Sequence, residues 1–278
     1  MKKFLKILKT IFNFTWLTVL TQVGGIIYLL YQPFSFFIKK KYDGWKSRGR
    51  RILSFVALYL FCSLLIVPLI AKRFGRVPLP FFASKEIPVK AGNIILPLGN
   101  RHYVRPQLKA VFFDAAQKIN QKYPNTQLLY LDANFPFWNG FPLLPHLSHD
   151  DGEKLDIAFL FKNKKTQKIH NNVLSFLGYG FVEPPRKGES NTPATCAKKG
   201  KWQYNFLYNI TSQHNHEYYE FDSAANQYLM RQFINHPKIG KILIEPHLKS
   251  RLGLSGEGKV RAAGCHAVRH DDHIHVQL

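Results

Sequence analysis

Acidic residues are scarce in this chain: 17 Asp and Glu stand against 39 Lys and Arg over 278 residues, a formal charge of +22. Such an excess invites a nucleic-acid reading, yet its distribution argues against one. Residues 1–76 hold 14 Lys or Arg and a single acid, leaving 25 against 16 in residues 77–278. Much of the excess therefore flanks apolar segments, where it sets topology and meets anionic lipid. Nucleic acid is not an expected partner. The residual charge suits an anionic polymer and is equally an ordinary solvated surface.

Charge is missing altogether from residues 52–71, ILSFVALYLFCSLLIVPLIA. Twenty helical residues at about 1.5 Å each cross a hydrocarbon core of about 30 Å, so this run reads as a transmembrane helix. Residues 11–38 also lack charge and read as a second span, although Thr18, Thr21, Gln22, Gly24 and Gly25 lower their hydrophobicity. Lys2, Lys3, Lys6 and Lys9 resemble the basic start of a signal peptide, but no small-x-small cleavage site follows, which disfavours one. The loop between the runs, KKKYDGWKSRGRR, carries seven basic residues against Asp43. The positive-inside rule assigns it to the cytoplasm. The expected anchor is therefore residues 1–76 in a cytoplasmic (inner) membrane, with the rest of the chain on the far, periplasmic or extracytoplasmic side. If both runs span, the N-terminal lysines must cross too; if the first lies flat or re-entrant, they need not.

Cysteine is also scarce. Cys62 lies within the apolar run as a packing residue, while Cys196 and Cys265 fall in the exported part, where compartment permits but spacing does not establish a disulfide. A metal-ligand role for Cys265 is the lesser alternative. No repeat of 20–50 residues occurs, which excludes a repeat array.

Pro78, Pro80 and Pro88 make residues 77–92 read as a tether, with the folded domain over 93–278. Apolar residues at 108, 111, 112, 115, 116 and 119 predict a helix over 107–121 behind Pro106. A second helix is predicted over 222–235, capped by Asp222 or Ser223. Strands are predicted at 127–133, 155–161, 240–246 and 273–278, and the polar stretch 184–218 as a long surface loop bordering a cleft. With too few crossover helices for a doubly wound sheet, the order is α+β: a small, mostly antiparallel sheet with flanking helices behind an N-terminal transmembrane anchor.

Six of the twelve histidines fall in two segments, His146 and His149 in HLSHDDGEKLD, and His266, His270, His273 and His275 in CHAVRHDDHIH. Gly152 allows a turn between His149 and Asp156, so a loop histidine and a strand aspartate can converge on one ion. His273 and His275 alternate on a strand and share a face, so one can bind metal while the other stands beside the open position. Nitrogen and oxygen donors without thiolate describe a catalytic zinc site with a place for water. His273 is the candidate general base and His270 the candidate oxyanion donor. Arg101, Arg105 and His247 are candidate substrate contacts, Asp271 and Asp272 candidate orienters of imidazole, and the aromatic run 134–141 a candidate cleft wall. His214 and His216 read as solvated loop residues.

The paired motifs H-x6-D and H-x-H resemble the LAS-type zinc metallopeptidases, which include D-alanyl-D-alanine carboxypeptidases and penicillin-insensitive murein endopeptidase, on a hedgehog/DD-peptidase fold. His146, Ser148, His149 and Gly152, with the ending His270-Asp271-Asp272-His273-Ile274-His275-Val276, are similar to the endopeptidase pattern. Over about a quarter of the chain, this resemblance implies Zn2+ on His149, Asp156 and His275, His273 and His270 in catalysis, and His146 near the site. It further implies hydrolysis of peptide stems or cross-links of peptidoglycan. The alternative is a non-catalytic, zinc-containing cell-envelope binding or assembly module; DNA binding by the membrane-linked chain rests on charge alone.

Overall fold

The computed structural model describes residues 2–278 and is α+β. Three long helices come first: α1 (Lys2–Thr21), α2 (Gly24–Lys41) and α3 (Gly44–Phe61). From α3 the helical path continues through a π turn at Cys62–Ile66, α4 (Val67–Ala71) and a 3-10 turn to Phe74. Two stretches, Lys3–Thr21 and Gly44–Phe74, are long and apolar enough to cross a membrane.

The run expected as one span over 11–38 is instead broken. Gln22 adopts φ 63°, and α1 and α2 fold back as an antiparallel hairpin. Asn13 donates to the Tyr28 hydroxyl at 3.0 Å, and a Cβ on Gly25 would lie 1.9 Å from Thr18 Oγ1, so the backbones touch there. Further along α2, Tyr31 donates to Arg51 O of α3 at 2.8 Å. The hairpin thus gathers Lys3, Lys6, Lys9, Lys39–Lys41 and the basic start of α3 at one end, with Gln22 at the other.

Residues 77–92 are not a free tether. They supply β1 (Val77–Pro78) and β2 (Val89–Ala91), an edge strand of the central sheet. There follow α5 (Ile95–Leu98), β3 (Tyr103–Val104), α6 (Pro106–Lys122), β4 (Leu128–Tyr130), β5 (Lys154–Ala158) and β6 (Phe161–Asn163). Residues 184–218, expected as loop, hold α7 (Thr192–Lys198) and α8 (Trp202–Ile210). The chain ends with β7 (Tyr219–Phe221), α9 (Ser223–Ile234), β8 (Lys241–Leu243), α10 (Pro246–Arg251), β9 (Val260–Arg261) and β10 (His273–Gln277).

The central sheet runs β2-β4-β5-β10-β8-β9, antiparallel in the middle and parallel at both edges. Its two faces have opposite chemistry because strand side chains alternate. Leu155, Ile157, Ile242, Ile274 and Val276 point into the core with Leu108, Phe112 and Ile119 of α6 and Leu229 and Phe233 of α9. Each such side chain contributes about 1.5–3 kcal/mol on burial. That buried face leaves the intervening residues in one row on the other: Asp156 opposite His275, His275 opposite Leu243, and Leu243 opposite Arg261.

The helical hairpin and the sheet domain are joined by specific contacts. Arg76, wholly buried, donates to Phe135 O, to Asn139 Oδ1 at 2.7 Å and to Asp150 O at 3.0 Å. Burial and the nearby Arg105 lower its pKa to about 10. Gln22 accepts from Phe137 N at 2.8 Å, and Tyr59 donates to Leu98 O at 2.7 Å.

Candidate metal centre

Five imidazoles, from His146, His149, His270, His273 and His275, gather around the Asp156 carboxylate on the polar face of β5 and β10. Asp156 and His275 are direct cross-strand partners, which is the arrangement that brings side chains closest across a sheet. His149 arrives from the preceding loop, whose turn requires Gly152: φ is 88°, and a Cβ there would press on Arg76 Nε at 3.2 Å and Arg105 Cγ at 3.3 Å. The three atoms His149 Nε2, His275 Nδ1 and Asp156 Oδ1 lie 3.1, 2.9 and 3.2 Å apart. In a tetrahedral zinc site with bonds of 2.0–2.1 Å, ligand atoms stand about 3.3 Å from one another, so the spacing fits a small cation.

The hydrogen bonds around these atoms agree with that fit. His149 donates through Nδ1 to Ala133 O at 2.7 Å. Its Nε2 lone pair then faces a carboxylate oxygen and another imidazole nitrogen, an arrangement that needs a cation or a proton between them. This pairing of a ligand imidazole with a backbone carbonyl is the usual way its tautomer is fixed. His146 sits on the other side of Asp156, its Nδ1 3.0 Å from Asp156 Oδ2 and 3.2 Å from Asp132 Oδ2. His146, His149 and Asp156 form a buried group that could hold a metal ion. His146 Nε2, His270 Nδ1 and His273 Nε2 are buried without a hydrogen-bond partner, which is rare for native polar atoms unless a ligand or water belongs there.

Charge in the cluster is strongly redistributed. Burial works against an ionised Asp156, yet His149, His273 and His146 outweigh it and hold its pKa well below the usual carboxylate range. Burial likewise opposes a charged His146, but Asp156 and Asp132 raise its pKa to about 10. Burial, reinforced by His273 and His275, pushes His270 well below 6.5, so its imidazole is neutral. His275 is lowered to about 4, chiefly by burial.

His273 and Asp272 form a dyad. His273 donates through Nδ1 to Asp272 Oδ1 at 2.6 Å, and Asp272 Oδ2 accepts from Gly180 N at 2.6 Å. The His273 Nε2 atom points toward Asp156 Oδ2, 3.7 Å away. Asp272 therefore orients the candidate base rather than a ligand. Asp271, expected to do the same, is turned away and held in a two-point ion pair by Arg269 at 2.9 and 2.6 Å.

The three expected substrate contacts have other partners. Arg101 makes a two-point pair with Asp132 at 2.6 and 2.7 Å beneath the site. Burial opposes an ionised Asp132, but Arg101 and His146 lower its pKa to about 2. Arg105 donates to Asp151 O at 3.0 Å and Phe74 O at 3.3 Å, closing the anchor joint. His247 is wholly buried and donates through Nε2 to Glu183 O at 2.8 Å. The aromatic run also faces elsewhere, with Phe137 packed on Phe74 at 5.0 Å between ring centroids. His214 is exposed beside Glu217, and His216 stacks on Phe181, both apart from the cluster.

A cleft of about 740 Å³ opens over the cluster. Its walls come from the 145–149 loop, α8 and the 261–270 segment, and Lys241 and Arg261 stand on its floor. Cys196 and Cys265 are joined in a disulfide that ties α7 to the 261–270 wall. Sequence reasoning missed Asp132 and Tyr179. The Tyr179 hydroxyl donates to Asp156 Oδ2 at 2.9 Å and accepts from Asp132 N at 3.0 Å, while its ring stands edge-on to His146 and His273. The available signal was Gly178-Tyr179-Gly180, in which both glycines have positive φ. Compared with known protein families and curated proteins, the chain matches none.

Proposed function

We propose that this chain is a membrane-anchored zinc metallopeptidase that hydrolyses peptide stems or cross-links of peptidoglycan. The observation that carries the reading is the convergence of His149 Nε2, Asp156 Oδ1 and His275 Nδ1 within 3.2 Å of one another beside the His273–Asp272 dyad. These three residues would hold the ion, with Tyr179 and Ala133 O fixing Asp156 and His149 in place. Bound zinc supplies Lewis acidity and a water acidic enough to ionise near neutral pH.

The remaining chemistry belongs to the protein. Asp272 fixes the Nδ1–H tautomer of His273, leaving the Nε2 lone pair free to take a proton from the attacking water and return it to the leaving amine. Neutral His270, ring centroid 4.8 Å from that of His273, donates to the developing oxyanion. Arg261 lies two strands from His275 on the same face, or about 10 Å at the usual strand spacing. With Lys241 it gives the cleft floor a positive end suited to a stem-peptide carboxylate. The α+β architecture, a small sheet with flanking helices, is the coarse class that the motif resemblance implies.

The hairpin supports the topology. With α1 folded back on α2, the N-terminal lysines lie with the basic loop, so all of them remain in the cytoplasm while the domain stands across the membrane. Purified full chain, incubated with murein, releases peptides and stops when zinc is chelated. If zinc raises the melting temperature but no murein fragment is cut, the protein is a zinc-stabilised binding module.

A further inference from the structure

The sheet domain does not meet the long apolar helix at its end. Tyr59 donates to Leu98 O at 2.7 Å, and Asn100 donates to the Tyr59 hydroxyl at 2.9 Å and to Ser63 Oγ at 3.2 Å. The first charged side chain beyond Ser63 is Lys72, nine positions further along the helical path, a rise of about 14 Å. Leu64, Leu65, Leu69 and Ile70 are exposed along that stretch. If the helix crosses a bilayer, its apolar surface requires lipid up to the level of Lys72. The domain surface beside Ser63 then lies below the water boundary.

That surface has the composition such a position needs. Ile94 and Ile95 are exposed next to the Tyr59 contact. Asn93 donates to Phe176 O, and Phe176 is 78% exposed. Leu96 and Leu207 of α8 belong to one apolar cluster with Leu129, Leu131 and Tyr179, and α8 carries Trp202, Phe206 and Ile210 on one i, i+4, i+8 stripe, all exposed. Lys198, Lys199 and Lys201 precede that helix. Exposed apolar residues that are contiguous, rather than scattered, mark an interaction surface, and a short helix with Trp and Phe on one side and lysines at its end suits the headgroup boundary of an anionic bilayer.

We infer that the face formed by Ile94, Ile95, Phe176, Trp202, Phe206 and Ile210 is seated in an anionic lipid surface. This rests on the reading of α3 as a membrane span. Because Trp202 and Phe206 also line the cleft, the mouth of the metal centre opens at the lipid boundary, and the peptide substrates it takes are those held close to the membrane, including peptides carried on a lipid.

Tryptophan quenching in the full chain tests this. The protein is reconstituted in vesicles of phosphatidylcholine and phosphatidylglycerol, and quenching by nitroxide-labelled lipid is compared with quenching by aqueous iodide. The emission lost in Trp202→Phe reports Trp202, and that lost in Trp16→Phe reports α1. The expected result is that Trp202 emission is lost to the lipid nitroxide and resists iodide. Trp202 emission lost to iodide, with only Trp16 quenched by lipid, overturns the inference while leaving the anchor intact. Shielding of Trp202 from both quenchers also contradicts it and indicates a protein partner. If Trp16 and Trp202 both escape the lipid nitroxide, the membrane reading fails and the inference falls with it.

Discussion

Replacing Arg101 by alanine separates two roles for this residue: a receptor for substrate carboxylate, or the counterion of a buried aspartate. Asp132 is 1% exposed, and Arg101 holds it through a two-point contact. Its pKa of about 2, below the ordinary 3.8, means that its surroundings favour the ionised form at neutral pH. Arg101 is the largest attractive contributor to that preference. Removing one partner of a buried pair costs about 3–5 kcal/mol, and the single contact from His146 at 3.2 Å leaves Asp132 only partly compensated. For a domain of this size that is a fall in melting temperature of about 6–20 °C. The assay is thermal unfolding of the full chain in detergent followed by near-UV circular dichroism. The Arg101→Ala, Asp132→Asn double variant should recover part of the loss, as expected for residues in direct contact. A melting temperature within about 2 °C of wild type, together with a raised KM for murein peptides, would refute the reasoning and restore Arg101 to substrate binding.

Three further outcomes follow. Asp272→Asn should lower kcat by about 10²–10⁴, the range for general acid–base catalysis, with zinc content unchanged; equal loss of zinc and activity would mean that Asp272 acts on the ligands. His102 is buried, and burial and Lys109 lower its pKa to about 3. The unfolded chain takes up a proton below about pH 6.5 that the folded chain refuses. The stability is therefore full above pH 6.5 and falls by about 1.4 kcal/mol per unit between pH 6.5 and 3; His102→Phe should flatten acid unfolding over that window, and an unchanged curve would contradict the assignment. Cys196→Ala with Cys265→Ala opens a link across 69 residues, worth about 4 kcal/mol by loop entropy, and denaturant melts should show the loss.

What the sequence made legible follows from period. The spacing of Leu108, Val111, Phe112, Ala115, Ala116 and Ile119 predicts a helix over 107–121, and α6 is Pro106–Lys122 with those six buried. Asp222 caps α9 as expected, accepting from Ala225 N at 2.9 Å. Alternation in His273-Ile274-His275 predicts two imidazoles on one face, and they share it, while Ile274 and Val276 fill the core on the other. The cross-strand register that sets His275 against Asp156 could not be read, because it depends on pairing across 119 residues.

The failures have the same root. Thr21, Gln22, Gly24 and Gly25 were visible as a weak point in the first apolar run, yet only the backbone shows that they make the hairpin turn. Val89–Ala91 is three residues long, too short to carry an alternating pattern, so prolines nearby suggested a tether. Arg101 looked available because its partner, Asp132, is 31 residues away. The loop expected over 184–218 conceals two short helices whose lysines and aromatics give no sustained apolar period.

The central claim is that His149, Asp156 and His275 hold the metal of a peptidase. The most direct measurement is zinc content and murein-peptide release on the same preparations of full chain, wild type and His275→Ala. The expected result is one zinc per wild-type chain and chelator-sensitive peptide release, with both lost in His275→Ala while the Cys196–Cys265 disulfide stays formed. Full zinc content or undiminished hydrolysis in His275→Ala would contradict it.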